Sequence, residues 1–450
     1  MKDEIDFKNE PLGRLFAKIF VPTLLGMLSG AALNIADGMF VGLGIGSDAL
    51  AAVNIVAPMY LLSSGVGLMF GTGASVVAAI HLSKGKIRTA NINISQSIYV
   101  SMVIMAIVSV ATFIFAPQCA RMFGSTERLD PYAIEYLRYF VLICPLIMLE
   151  CIGLFVIRLD GSPRYAMMCS VVPAVLNIIL DYIFVFPMQM GIKGAALATD
   201  IGVITGALMI FYYLIFKSNQ TKLLTLKLSK NSLLLTARNI AYMVRLGASS
   251  LLGELAISFM MFLGNHIFLR HLTEDGVAAF SVLCYCFPVI FMLNTAIAQS
   301  AQPIISYNHG LGDTERVKKA FKLMLTMSIA CGTITAIAIW IGRSELISMF
   351  LHRDTAAYNI AYDGMPYFAL GMLFFAINIV VIGYYQSVEQ ARKAVVLTIL
   401  RGFVFLGATF LLLPYWFATP GIWLAVPIAE MLTCVTIGIA SLYKKEYTLQ

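Results

Sequence analysis

The sequence predicts an all-α integral membrane protein whose twelve transmembrane helices form two parallel six-helix repeats, an N-lobe and a C-lobe, around a V-shaped central cleft. Three observations lead there: long apolar runs fill most of the chain, basic residues collect in alternate connections, and the two halves resemble each other. Of 450 residues, 60% are hydrophobic and 12% are charged, against roughly 25% charged in an average soluble domain. Mean hydropathy is +0.85. No soluble fold of this size hides so much apolar surface, so one polytopic membrane domain is expected.

A spanning helix needs about 20 apolar residues. Runs of that kind fall at about 14–38, 52–78, 92–116, 132–157, 163–187 and 192–216, and again at 243–268, 276–304, 318–341, 360–385, 391–415 and 420–443. Short polar breaks separate them. If the N-terminus is cytoplasmic, that side receives Lys2, Lys8, Arg14 and Lys18, then Lys84, Lys86 and Arg88, then Arg158 and Arg164. It also receives the stretch Lys217 to Arg245, Arg316 to Lys322, Arg392 and Lys393, and Lys444 and Lys445. The opposite side keeps Arg121, Arg128, Arg138, Lys193, Arg270, Arg343 and Arg353. Excess Lys and Arg mark cytoplasmic loops, so both termini are expected in the cytoplasm. The same distribution explains the net charge of +7 better than a nucleic-acid partner does, because the cations lie between apolar runs and form no single patch.

The repeat is read by sliding the chain along itself. A shift of 227 residues sets Ser47-Asp-Ala-Leu-Ala-Ala52 over Glu274-Asp-Gly-Val-Ala-Ala279 and Gly85 over Gly312. Shifts of 228 and 230 set Pro163-Arg-Tyr-Ala166 over Ala391-Arg-Lys-Ala394 and Gly191-Ile192 over Gly421-Ile422. Six is even, so each half begins and ends on one side and the repeats are parallel, related by an axis along the membrane normal. The expected division is an N-lobe at 1–216, a basic cytoplasmic linker at 217–242 and a C-lobe at 243–450. Such pairs admit cargo near the midplane and expose it to each side in turn by rocking.

The opening MKDEIDFKNE is hydrophilic, and the long apolar run behind it lacks a cleavage site, so a removable signal peptide is not expected. Most of the eight cysteines sit inside apolar runs (Cys144, Cys151, Cys284, Cys286, Cys331, Cys434) without metal-type spacing and read as packing residues. His81, His266, His271, His309 and His352 fall near span ends and read as interfacial. The 24 Met, 29 Phe and 20 Tyr offer soft contact surface, most of it for lipid or helix packing.

Pro22 in the first span, Asp37-Gly-Met-Phe-Val-Gly42 at its end, Ala51-Ala52, and Asn177-Ile-Ile-Leu-Asp181 followed by Gly194-Ala-Ala-Leu-Ala-Thr199 together resemble the bacterial multidrug and toxic compound extrusion (MATE) family. The likeness covers nearly the whole chain and is closest to the branches that keep their cation site in the N-lobe. It implies a secondary active antiporter that exports cationic or amphipathic organic compounds in exchange for Na⁺ or H⁺, with no cofactor and no enzymatic activity, working as a monomer in the bilayer.

Acids within spans are costly, about 2.5–3.5 kcal/mol each on insertion scales, so each is a functional candidate. Asn177 and Asp181 are four residues apart and share one helix face. Thr199 can add a hydroxyl, Ala195 one turn earlier a backbone carbonyl, and Asp37 a second carboxylate. An all-oxygen cluster of this kind suits a hard monovalent cation, Na⁺ at Asp37, Asn177, Asp181 and Thr199, or a proton on the same acids. The resemblance assigns these five positions to the N-lobe coupling site. Alternatively, Asn177, Asp181 and Thr199 merely hydrogen-bond neighbouring helices and Asp37 caps at the interface.

Pro22 precedes Asp37 by about four turns, where a missing backbone hydrogen bond permits a bend. The resemblance makes it a hinge; a static kink is the plainer alternative. Glu254 matches a C-lobe acid that other branches use for cations, but Asn378 stands near where its aspartate companion is expected, so Glu254 is read as a contact for cargo or a secondary cation. Glu150 aligns with Asn378 through the repeat, and both are expected to face the cleft. Asp200 aligns with Glu430 and points about 100° away from Thr199. Arg401, well inside a span, is expected to pair with an acid or to snorkel.

Two rival readings are weaker. A lipid-linked oligosaccharide flippase of the same superfamily needs a basic cavity for pyrophosphate, whereas the buried charges here are mainly acidic. A membrane-embedded enzyme finds no HExxH, GxSxG or GxxxxGK[ST] run. The major facilitator loop signature is also missing after span two, where the chain reads His81-Leu-Ser-Lys-Gly-Lys-Ile-Arg88.

Overall fold

In a computed structural model of the chain, residues 5–226 and 229–447 are described. Lys2 and Lys227 lie outside the described residues, as do the side chains of Lys230, Lys444 and Lys445. The described part is helical throughout, in the order α1 (Leu12–Gly44), α2 (Ser47–Ser83), α3 (Ile87–Ile114), α4 (Ala116–Met122), α5 (Asp130–Leu159), α6 (Pro163–Val185) and α7 (Ile192–Tyr212). After a π turn at Tyr213–Lys217 come α8 (Lys230–Leu311), α9 (Thr314–Ser348), α10 (Ala356–Ala369), α11 (Gly371–Ser387) and α12 (Ala391–Ile399). A second π turn at Leu400–Phe405 leads into α13 (Leu406–Tyr447).

Among the described residues, nine helices are long and apolar enough to cross a membrane, and α10 with α11, bent by 48°, makes a tenth crossing. Two of the nine are interrupted. Helical geometry fails at Thr273 within α8 and at Ala418 within α13, so each of these supplies two crossings. Twelve crossings result, as the hydropathy predicts. The helices overrun the predicted spans by several residues, and α8 begins at Lys230, inside the expected linker, where the Ser229 hydroxyl accepts a hydrogen bond from Ser232 N. The short α4 was not expected.

The repeat is legible in the turns themselves. Left-handed backbone occurs at Gly46, Gly85, Gly161 and Gln189 in the first half and at Thr273, Gly312, Glu389 and Ala418 in the second. Each pair is separated by 227 to 229 residues, close to the shifts that align the sequences. L-residues seldom adopt this conformation, so the same connections recur even where Thr or Glu stands opposite a glycine and where neither partner is glycine, as at Gln189 and Ala418.

The chain divides into two compact units. The first comprises residues 1–251 and 303–314, the second residues 252–302 and 315–450. The division therefore falls within α8, past the linker at 217–242. Glycines show why the start of α8 goes with the first unit: a Cβ on Gly73 of α2 would collide with the Met243 carbonyl, and one on Gly247 of α8 with the Met69 carbonyl. The two backbones touch there. Gln96 of α3 reinforces the junction, its amide donating to Thr236 Oγ1 at 2.8 Å and accepting from Asn239 Nδ2 at 2.9 Å.

The core of the first unit is apolar and centred on α5, with Leu137, Val141, Cys144 and Met148 fully buried against Ala52 of α2 and Ala195 of α7. At one end of this unit, residues 5–22, the α5–α6 turn, Asn219, Gln220 and Tyr307 line a cavity of about 1260 Å³. All these segments carry the charge signature predicted for the cytoplasmic side. Asp160, 7% exposed, ties the linker down there: its carboxylate accepts from the Asn219, Gln220 and Thr221 amides at 2.7, 2.8 and 3.0 Å and from Tyr213 Oη at 2.7 Å. The N-terminal segment is held as well. Phe7 is buried, its ring 5.5 Å from that of Tyr307, and its carbonyl accepts from Asn308 Nδ2 at 3.0 Å. Pro22 lines the same cavity inside an unbroken α1.

The second unit is built around aromatics, with Phe268, Phe280, Phe368, Phe375 and Phe410 all but inaccessible. Trp423 meets Phe268 edge-on at 5.0 Å, a favoured aromatic geometry. All eight cysteines are free thiols. Large apolar side chains such as Leu43, Ile107 and Ile341 stay exposed along the helices, as a lipid solvent requires.

Candidate cation site in the first unit

Three helices, α1, α6 and α7, bring the predicted oxygen cluster together. Small residues let them approach: Gly26 of α1 lies against Ser170 of α6, and Gly202 of α7 faces Asn177 and the Pro173 carbonyl, with a Cβ on Gly202 meeting those atoms at 3.2 and 3.3 Å. On α6, Asn177 and Asp181 share the buried face, 2% and 0% exposed. Asn177 Nδ2 donates across to Thr199 Oγ1 of α7 at 3.2 Å. From α1, half-buried Asp37 places its carboxyl within hydrogen-bonding reach of Asp181. Ala195, fully buried, is one turn before Thr199.

What remains on the inner side of this cluster is oxygen. Asp37 Oδ1, Asn177 Oδ1 and both Asp181 oxygens are buried without a donor from the protein. Such orphaned acceptors are rare and costly. No basic residue compensates them: among the described residues Asp37, Asp181, Asp200, Glu150 and Glu254 form no ion pair. Two carboxyl groups in contact require a proton or a cation between them. The donor set, carboxylate, amide and hydroxyl oxygens with no sulfur or imidazole, fits a hard monovalent ion. No group of three or more His, Cys, Asp or Glu able to hold a metal is found among the described residues.

Two neighbours enlarge the predicted set. Tyr136 of α5, 6% exposed, lies within electrostatic reach of Asp37, Asp181 and Asp200 and beside Thr199. Nothing in the sequence separates it from other span tyrosines. Asp200 turns toward α5, near Tyr136 and Cys144, while Thr199 turns toward α6. That is the divergence expected of adjacent helical residues, and yet Tyr136 lies beside Thr199 and within electrostatic reach of Asp200. Asp200 Oδ1 is also buried without a donor.

The other candidates stand apart. Glu150, half-buried on α5, reaches α7 where Gly206 makes room for it; a Cβ on Gly206 would fall on Glu150 Oε1, with Pro173 beside it. In the second unit Glu254 is half-buried on α8, and its backbone carbonyl accepts from Ser258 Oγ at 3.4 Å. Asn378 is 0% exposed, and its amide is committed to Glu430. Within the second unit Asn378 is thus an internal partner of Glu430. Arg401 does pair with an acid, and that acid is Glu430.

Comparison with known proteins agrees with the fold and the repeat. The MatE family profile matches residues 22–183 and 250–411, two stretches that begin 228 residues apart, as the repeat does. The multidrug export protein MepA of Staphylococcus aureus (strain N315) is 24% identical over 445 residues, 98% of this chain and 96% of that protein. The FAD transporter of Shewanella oneidensis is 25% identical over 355 residues, 78% of this chain and 77% of its own length. A solved outward-facing conformation of a multidrug resistance MATE family transporter of the MOP superfamily superposes with a TM-score of 0.87 at 20% identity, covering 97% of this chain and 98% of that one. A MOP superfamily transporter from Pyrococcus furiosus, described as having a binding pocket of reversed polarity, gives 0.87 at 20% identity over 96% and 95% of the two chains.

Proposed function

This chain belongs to the MatE family, and on that premise we propose that it is a secondary active antiporter that exports cationic or amphipathic organic compounds in exchange for Na⁺ or H⁺. The closeness of the Asp37 and Asp181 carboxyl groups, with Asp37 Oδ1, both Asp181 oxygens and Asn177 Oδ1 left without donors, carries the proposal. An acid pair without a basic partner holds a proton or a cation and gives it up when the surroundings change. Asp37, Asn177, Asp181 and Thr199 bind the coupling ion, with Ala195 as backing. Glu150 and Glu254 serve as contacts for the positive cargo. Pro22, on the helix that carries Asp37, is the hinge by which α1 passes the state of the site to the cavity at its other end. The chain works as a monomer in a bacterial cytoplasmic membrane with both termini inside.

The cargo class is supported by the acidic character of the unpaired buried groups and by the full-length similarity to MepA. Ethidium efflux from cells expressing wild type or Asp181→Asn, with Na⁺ and pH gradients imposed separately, tests it. Gradient-driven efflux in wild type and its loss in the variant are expected, and the effective gradient names the ion. Efflux that ignores both gradients, or that survives in Asp181→Asn, overturns the coupling assignment. Export of FAD without export of dye overturns the cargo.

A further inference from the structure

An acid inside a membrane-spanning helix has to be neutralised by a proton, a cation or a fixed positive side chain. The second unit contains one that carries its own partner. Glu430 of α13 and Arg401 are each 6% exposed as side chains. Arg401 Nε donates to Glu430 Oε1 at 2.7 Å and to Oε2 at 2.9 Å. Asn378 Nδ2 donates to Oε2 at 2.7 Å and to the Glu430 carbonyl at 2.9 Å, and Cys434 Sγ donates to Asn378 Oδ1 at 3.2 Å. The guanidinium lies 4.7 Å over the Phe375 ring, a contact a cation favours. Arg401 sits in the π turn Leu400–Phe405, a local widening that recurs at functional positions.

Among the described residues, the spans of the first unit have no such device. The residue 228 places before Arg401 is Pro173, and the one 228 places before Asn378 is Glu150. Its buried acids Asp37, Asp181 and Asp200 have no basic partner. The geometry points to Arg401 as a tethered counter-cation that occupies the place of an exchangeable ion at Glu430, so that, with Glu254 given to cargo, ion exchange is confined to the first unit. Unlike a bound ion, a guanidinium cannot leave. Arg401 thus sets the number of coupling ions per cycle, a specificity role that rests on the antiport reading above.

The test uses purified full-length protein, with Na⁺ binding measured by radiolabel and proton uptake measured in weakly buffered solution. Wild-type capacity is expected to vanish in Asp181→Asn and to persist in the paired Arg401→Gln/Glu430→Gln variant. Arg401→Gln alone is expected to about double the capacity, because an unpaired buried acid must recruit a counter-ion. The added ion should survive Asp181→Asn and disappear with Glu430→Gln. A folded Arg401→Gln protein with wild-type capacity overturns the assignment. If that single variant does not fold, the paired variant decides: unchanged ion binding upholds the assignment, and lost binding overturns it. Failure of the antiport reading is a separate signal, namely wild-type ion binding that Asp181→Asn does not change.

Discussion

Asn177 donates its amide hydrogen to Thr199 Oγ1 at 3.2 Å, and this bond holds an amide whose oxygen is buried without a donor. Thr199 therefore acts twice, as a ligand candidate and as the anchor of another. Thr199→Ala is expected to lower coupling-ion affinity about fivefold, corresponding to about 1 kcal/mol for a hydrogen bond of this kind. Half-saturating cation concentration for efflux reports it, and equal affinity in the variant counts against the site.

Asp181→Asn removes a carboxylate that neighbours cannot replace. Gradient-driven export should fall at least about tenfold, as expected when a charge-assisted contact of about 1.5–3 kcal/mol is lost. Dye binding to the detergent-purified protein should remain, because cargo contacts are placed on other residues. Loss of dye binding would move Asp181 into the cargo site.

Tyr136→Phe deletes only a hydroxyl beside Thr199 and the three aspartates. A change of about two- to fivefold in ion affinity at unaltered thermal stability is expected, in line with about 0.5–1 kcal/mol per neutral hydrogen bond. A variant indistinguishable from wild type would make Tyr136 a packing residue.

Much of this site was legible. Fourfold spacing put Asn177 and Asp181 on one face, and Thr199 came from the resemblance to the MATE family carried by Gly194 to Thr199. Tyr136 was not legible, since a buried tyrosine and a lipid-anchoring one look alike until helix azimuth is known. Glu430 as the partner of Arg401 was missed for the same reason: twenty-nine positions and a helix break separate them. The twelve crossings and the repeat were clear because hydropathy and turn chemistry are local. The division inside α8 was not, because it depends on backbone contact at Gly73 and Gly247, which no periodicity announces.

Those glycines give a stability prediction. Gly73→Ala or Gly247→Ala places a methyl group against a carbonyl of the facing helix, and overpacking of this kind costs about 1–3 kcal/mol or more. Gly253→Ala, with open space around its Cβ, is the control. Thermal unfolding followed by size-exclusion fluorescence should separate the first two from the third.

Asp160→Ala leaves three amides and the Tyr213 hydroxyl without their shared acceptor. Unsatisfied buried donors cost about 1–3 kcal/mol each when water cannot reach them. Residues 218–221 should become sensitive to protease while the α5–α7 core holds. Unchanged cleavage would mean that other contacts secure the linker.

The docking of Phe7 onto Tyr307 and Asn308 also bears on how the protein is made. Its hydrogen bond spans 301 residues of chain. At about 5–20 residues per second, a ribosome needs on the order of 15–60 s to travel from one partner to the other. For that time the amino-terminal segment has emerged but has no seat. The first unit is completed only after the end of α8 has been synthesised and inserted, so a chain that stalls before residue 308 leaves even its earliest segment unfinished.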